Sequence, residues 1–251
     1  MKTMKEITEA LKVAEMYETW MDFIQEDTRK GVQKAWQQFL KRQEKQRLLQ
    51  QEHYAKVTFD AQYGHTVAGV DEAGRGPLAG PVVTAAVILS ADCSELVGLN
   101  DSKQLSKEKR QYFSALIQKH AISYSIHFQS VKMIDTLNIY EATKQSMVES
   151  VRSLQTTPKI VLVDAMTLPI PIAQVSVVKG DEKSLAIAAA SILAKTARDA
   201  YMEQLAQEFP QYGFEQHAGY GTKQHVDALK VHGVTAHHRR SFEPIKTMLK
   251  G

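Results

Sequence analysis

Two adjacent acids, Asp71 and Glu72, close the apolar run Val67-Ala-Gly-Val and are followed at once by Gly74-Arg75-Gly76-Pro77. Burying neighbouring carboxylates costs several kcal/mol unless cations neutralise them, so a hard-metal site is the natural reason for such a pair. Consecutive side chains of a regular strand point to opposite faces. The two acids therefore share one site only if the chain bends here, and the two glycines make that bend cheap. Asp164 ends a second apolar run, Ile160-Val-Leu-Val163, and Asp181 follows Val177-Val-Lys-Gly ahead of a long helical stretch. Four acids at changes of chain direction match the ligands of two Mg²⁺ or Mn²⁺ ions about 4 Å apart. That arrangement activates a water and stabilises the leaving oxygen during in-line attack on phosphate. Taken singly, Asp164 and Asp181 read more readily as turn or cap residues. The Asp71-Glu72 pair before Gly-Arg-Gly does not.

The elements that must position these acids change character along the 251 residues. Residues 1–62 are rich in Lys, Glu and Gln, hold no proline and one glycine (Gly31), and carry apolar residues at helical spacing. Ile7, Leu11 and Ala14 form one stripe, and Val32, Trp36, Phe39 and Leu40 form another. Asp27-Thr28 is the expected break between the two helices. From Thr66 the pattern alternates: strands are expected at 66–70, 81–89, 124–131, 159–163 and 174–178, and helices at 133–154 and 184–209. The last forty residues read as helical with loops. This order argues for a layered α/β domain over 63–251 behind a helical extension over 1–62.

Composition excludes several classes. The single cysteine, Cys93, allows no internal disulfide and no cysteine-rich zinc site, which suits a reducing cytoplasm. No window approaches the roughly 18 apolar residues of a membrane span. The net charge of +3 is modest, but seven basic residues between Arg29 and Arg47 stand against one acid, Glu44. Such a block attracts polyanions, although a solvated helix face gives the same pattern. Five of the nine histidines fall at 217, 225, 232, 237 and 238. Their spacing fits no common zinc pattern, and a polar helical surface is the expected setting.

The run Gly69-Val-Asp71-Glu72-Ala-Gly74-Arg75-Gly76-Pro-Leu-Ala-Gly-Pro-Val-Val resembles the opening signature of the ribonuclease HII family. Further likenesses follow in family order: Leu99-Asn-Asp101-Ser102-Lys103, Val163-Asp164-Ala, Lys179-Gly-Asp181, the stretch from Ala188 to Asp199, Tyr212-Gly-Phe, Gly219-Tyr220-Gly-Thr222 and His238-Arg-Arg-Ser-Phe242. They span essentially all of residues 66–245. The resemblance implies a ribonuclease H-like mixed five-stranded sheet flanked by helices, with a C-terminal helical segment. It also implies an endonuclease that cuts the RNA strand of RNA/DNA hybrids and incises 5′ of ribonucleotides embedded in duplex DNA, leaving 3′-hydroxyl and 5′-phosphate ends. Asp71, Glu72, Asp164 and Asp181 take the places of the family's catalytic, metal-binding acids, with two divalent ions and no organic cofactor. A cytoplasmic monomer that engages hybrids and ribonucleotide-containing duplexes, and no membrane, is the expectation.

The resemblance also assigns substrate contacts. Gly74-Arg75-Gly76 takes the place of the family's detector of the 2′-hydroxyl, the group that marks RNA against DNA. Tyr220 matches a tyrosine that stacks on the sugar after the ribonucleotide and favours deoxyribose there. Ala218 departs from the lysine that many members carry before this glycine, which removes one phosphate contact. Lys103, Lys195, Arg198 and the pair Arg239-Arg240 are candidate phosphate contacts, each also readable as a solvated cation. Two rivals stand beside this reading. Ribonuclease HIII has a different glycine tripeptide and a sheet-containing N-terminal domain, and a non-catalytic hybrid-binding protein would not need all four acids.

Overall fold

The computed structural model describes residues 3–250, and the chain divides into two compact units, Met1–Tyr54 and Ala55–Gly251. In the first, α1 (Met4–Val13) starts on a capping box in which the Thr3 side chain and Glu6 satisfy each other's backbone N–H groups. A 3₁₀ turn (Thr19–Ile24) leads to the long α2 (Lys30–Ala61). Both apolar stripes are buried here, with Ile7, Leu11, Ala14, Val32, Trp36 and Phe39 in one cluster, whereas Leu40 is exposed. The basic run is partly consumed within this unit. Arg29 pairs with Asp27, Arg47 with Glu44, and Arg42 donates to the carbonyls of Leu11 and Ala14 at the end of α1.

The second unit includes the last turns of α2, where Val57 and Phe59 pack against the main core. Its sheet has five strands: β1 (Val67–Ala73), β2 (Val82–Leu89), β3 (Ala121–Gln129), β4 (Ile160–Asp164) and β5 (Ala173–Val177). The order is β3-β2-β1-β4-β5, antiparallel across β1–β2 and β2–β3 and parallel across β1–β4 and β4–β5. Between β2 and β3 stands α3 (Lys107–His120), a helix the sequence pattern did not announce. The single helix expected over 133–154 is two, α4 (Val131–Leu137) and α5 (Ile139–Arg152). Asn138 divides them: it takes a positive φ of 72°, and its side chain accepts from the N–H groups of Tyr140 and Glu141 to start α5.

After β5 come α6 (Gly180–Lys183) and the central α7 (Leu185–Glu208), capped by Ser184. The alanine-rich face of α7 allows close approach to β1 and β2, and Ala188, Ala189, Ala190, Leu193 and Ala194 share a core with Ala85 and Val87. The opposite sheet face is covered by α5, where Met147 and Val151 meet Val70, Ile88 and Val163. The chain ends with α8 (Phe214–His217), α9 (Lys223–His232) and α10 (Ile245–Met248). Among the described residues no helix is long and apolar enough to cross a membrane.

Candidate active site

The two central parallel strands carry the first pair of acids. Val70 is the last β1 residue paired with β4, opposite Val163, so Asp71 and Asp164 follow side by side at the carboxyl ends of neighbouring strands. The expected bend between Asp71 and Glu72 does not occur. Strand β1 stays in register with β2 through both acids, Asp71 opposite Ala85 and Glu72 opposite Thr84. The chain turns only after Ala73, at Gly74 with φ +94°, because pairing with β2 holds the strand extended that far. Asp181 arrives from α6, after Lys179 in the left-handed region (φ 54°). All four carboxylates line one cavity of about 220 Å³, together with Gly74, Arg75, Gly76, Lys103 and Tyr220.

The charge balance in this cavity is unfavourable as it stands. Burial, then the charges of Glu72 and Asp164, push the Asp71 carboxyl well above the ordinary carboxylate range, and the Ser191 hydroxyl offsets this only in part. Glu72 is raised by burial, with Arg75, 3.5 Å away, pulling against it. Asp181 is raised by burial and by Asp101 and Asp164. Asp164 is oriented by the Gly180 N–H, which donates to its Oδ1 at 2.7 Å. Among the described residues no three acidic, histidine or cysteine side chains already stand as a closed ligand cluster. What the four acids do present is an all-oxygen donor set whose members repel one another around a shared hollow. Hard divalent cations such as Mg²⁺ or Mn²⁺ fit that set, since their charge removes the repulsion.

The loop opposite the acids is held from behind by two arginines. Arg198 and Arg239 are 1% and 0% exposed, so neither is a phosphate contact. Arg239 donates to the carbonyls of Gly74, Arg75 and Gly80, and Arg198 to those of Ala79, Pro81 and Ala218. A guanidinium has five donors in a fixed fork and remains charged when buried, which suits it to tie several carbonyls at once. Burial nevertheless pulls Arg239 down to about 9. The two glycines differ in what they answer to. A Cβ on Gly74 would lie 2.0 Å from Nε of Arg198, so internal packing demands glycine there. A Cβ on Gly76 would meet only the Tyr220 ring, at 3.5 Å, an ordinary contact. Tyr220, whose ring stands beside this gap, is 47% exposed.

The remaining cations are placed variously. Lys103 is exposed at the cavity, 3.9 Å from Asp101. Lys195 also lines it but is paired with Asp199, which Arg110 joins from α3. Arg240 is exposed, and its backbone N–H is held by Asp135.

Sequence reasoning missed several residues here. Lys56, near the end of α2, is 5% exposed, and its Nζ donates to Asn100 Oδ1 (2.8 Å), the Asp181 carbonyl (3.1 Å) and the Leu99 carbonyl (3.4 Å). It fastens the Asp181 turn to the loop carrying Asp101 and Lys103. The usable signal was its place beside Val57 and Phe59, in a turn where apolar residues reappear after a polar stretch. Asp101 is a further buried acid, adjoining Asp181. The expected polar histidine surface is also corrected: His217, His225 and His238 are buried, because Tyr212 and Phe214 pack around them.

Comparison with known proteins covers both units. The family model described as Ribonuclease HII matches residues 68–245, and that described as Ribonuclease HII N-terminal domain matches residues 3–64. Ribonuclease HII of Halalkalibacterium halodurans is 48% identical over 251 residues, covering 97% of this chain and 95% of that one. Ribonuclease HII of Bacillus anthracis is 51% identical over 229 residues, 89% of this chain and 88% of that one. Among solved structures, ribonuclease H2 from Pyrococcus horikoshii superposes with a TM-score of 0.65 at 27% identity, over 74% of this chain and 97% of that one. A ribonuclease HIII, Bst-RNase HIII in complex with Mn²⁺, shares the fold with a TM-score of 0.59 at 19% identity, over 76% of this chain and 72% of that one.

Proposed function

The chain belongs to the ribonuclease HII family and is a ribonuclease H-type hydrolase of RNA/DNA hybrids, and on that premise we propose that it also incises 5′ of single ribonucleotides embedded in duplex DNA. The products are 3′-hydroxyl and 5′-phosphate ends. The observation that carries this reading is the convergence of Asp71, Glu72, Asp164, Asp181, the Gly74-Arg75-Gly76 loop and Tyr220 on one cavity.

Asp71 and Asp164, at adjacent strand ends, and Glu72 and Asp181, beside them, hold two Mg²⁺ or Mn²⁺ ions. Bound there, such ions supply Lewis-acid stabilisation of in-line phosphoryl transfer. The residues themselves bind and orient. Gly76 lacks a Cβ where internal packing does not require its absence, leaving room for a sugar to approach the backbone and present its 2′-hydroxyl to main-chain groups. The Tyr220 ring faces the next sugar, where a second 2′-hydroxyl would crowd it. Lys103, exposed at the rim, contacts a phosphate and positions the strand without reading sequence. No covalent nucleophile is required, and Cys93 is ill suited to be one, because burial pushes its thiol up to about 11. The exposed lysines of α2 add duplex affinity, and the protein acts as a cytoplasmic monomer.

The test is the Asp71→Asn variant. It should lose cleavage of a single-ribonucleotide duplex by about 10³-fold or more, as removal of a central charge-stabilising group does. It should still fold and bind the uncleaved hybrid, while its melting temperature should lack the upward response to Mn²⁺ expected of the parent protein. Undiminished cleavage by this variant would end the metal assignment.

A further inference from the structure

The mechanism above leaves three buried imidazoles unused. His217, His225 and His238 are each at most 8% exposed and come from different elements, α8, α9 and the loop before α10. Their rings form one body: His217 stacks on His225 with centroids 4.7 Å apart, and Nε2 of His225 lies 3.1 Å from Nε2 of His238. The hydrogen bonds fix every tautomer. The Thr235 N–H donates to Nδ1 of His238, so the His238 proton sits on Nε2 and is donated to Nε2 of His225. His225 then carries its own proton on Nδ1 and donates it to the carbonyl of Tyr220 at 2.9 Å. His217 accepts from the Gly219 N–H on Nδ1 and donates from Nε2 to the Tyr212 carbonyl.

This directed chain ends on Tyr220, a half-exposed residue. With Tyr220 half-exposed, its main-chain hydrogen bonds carry much of its placement. The carbonyls of Ala218 and Gly219 accept from Arg198 and the Leu78 N–H, and that of Tyr220 accepts from both His225 and the Thr222 N–H. The Tyr220 N–H donates in turn to the His217 carbonyl. Aliphatic side chains would fill the same volume among Tyr212 and Phe214 but would leave the Tyr220 carbonyl with fewer donors. A fully satisfied buried network selects one arrangement where apolar filling would tolerate several. The other titratable rings facing the cluster are His237, Tyr212 and, against Tyr212, His232.

We propose that His225, held by His238, is a positioning residue for Tyr220 and so sets the enzyme's preference for deoxyribose after the ribonucleotide. This rests on the reading that the Tyr220 ring meets that sugar. Burial keeps both imidazoles below their ordinary range, which maintains the neutral tautomers the chain requires.

The experiment compares three variants at His225 with the parent and with Tyr220→Ala. His225→Asn places an amide N–H near the Nδ1 position and retains the bond to Tyr220. His225→Gln places its amide toward His238 instead, and His225→Phe fills the ring volume with no donor. Two quantities are read: hydrogen exchange over residues 218–222, and the ratio of kcat/KM for a single-ribonucleotide duplex to that for a continuous hybrid. His225→Gln and His225→Phe should speed exchange and lower the ratio by about 10-fold, the equivalent of one lost hydrogen bond of ~1.4 kcal/mol. His225→Asn should stay within about threefold of the parent in both. If His225→Phe does not fold, the Asn and Gln pair still decides. Unchanged exchange in His225→Gln overturns the positioning role whatever the ratio does. Faster exchange with a Tyr220→Ala ratio equal to the parent's refutes instead the sugar-reading role of Tyr220, and the specificity inference falls with it.

Discussion

Replacing Lys56 with methionine tests how far the Asp181 turn depends on a side chain from helix α2. Methionine keeps the length and most of the apolar stem, so the packing beside Val57 and Phe59 is largely preserved and the loss is confined to the ammonium. Two of its contacts are short, to Asn100 Oδ1 at 2.8 Å and the Asp181 carbonyl at 3.1 Å, and the one to the Leu99 carbonyl, at 3.4 Å, is weak. A hydrogen bond from a charged donor contributes about 1.5–3 kcal/mol, so the two short bonds together give about 3–6 kcal/mol. Relief of the buried ammonium's desolvation returns part of this, leaving a net loss of about 2–4 kcal/mol. Lys56 also draws the Asp60 carboxyl down, so its removal leaves Asp60 still more prone to protonate. Urea unfolding should show that loss of stability. Cleavage should fall about 10-fold at saturating hybrid, because a released Asp181 carbonyl lets the turn drift from the other acids. A Lys56→Met protein with stability within about 0.5 kcal/mol of the parent and full activity would refute the reasoning.

Three further outcomes follow from the geometry. Gly74→Ala should destabilise the fold by about 2 kcal/mol or more, since it combines a positive φ with a clash at Arg198. Gly76→Ala should unfold within about 0.5 kcal/mol of the parent yet lose hybrid cleavage, and equal activity would show that no group approaches the backbone there. His238, lowered to about 4 by burial and by its histidine neighbours, gives stability that is full above its unfolded value near 6.5 and lost as pH falls through 4, worth up to about 3 kcal/mol. Urea unfolding between pH 7.5 and pH 4 should therefore fall less steeply in His238→Gln than in the parent. The variant comparison is needed because Asp60, raised to about 6, works in the opposite direction and adds stability as pH falls through that value.

The parts of this molecule that were legible in sequence are those in which one residue type has one local use. Apolar runs ending in acids marked β1 and β4, and the alanine-rich stretch marked α7 to within a residue at each end. The nine residues named as the site all line one cavity. What was not legible depends on partners distant in the chain. Arg198 and Arg239 look like surface cations until the fold places carbonyls from residues 74–81 around them. The histidines look like polar helix residues until Tyr212 and Phe214 enclose them. The split at Asn138 was missed for a different reason: asparagine is an ordinary helix residue by periodicity, and only its positive φ makes it a cap.

The tie between Arg239 and the carbonyls of Gly74 and Arg75 also joins parts of the sequence that lie far apart. More than 160 residues separate the two ends of that clasp. The acids on β1 and β4 are placed by pairing within the sheet, but the loop beyond β1 gains its fixed shape only when the segment carrying Arg239 docks behind it. A variant without that guanidinium should keep the sheet and its carboxylates while leaving the Gly74 and Arg75 carbonyls without this donor.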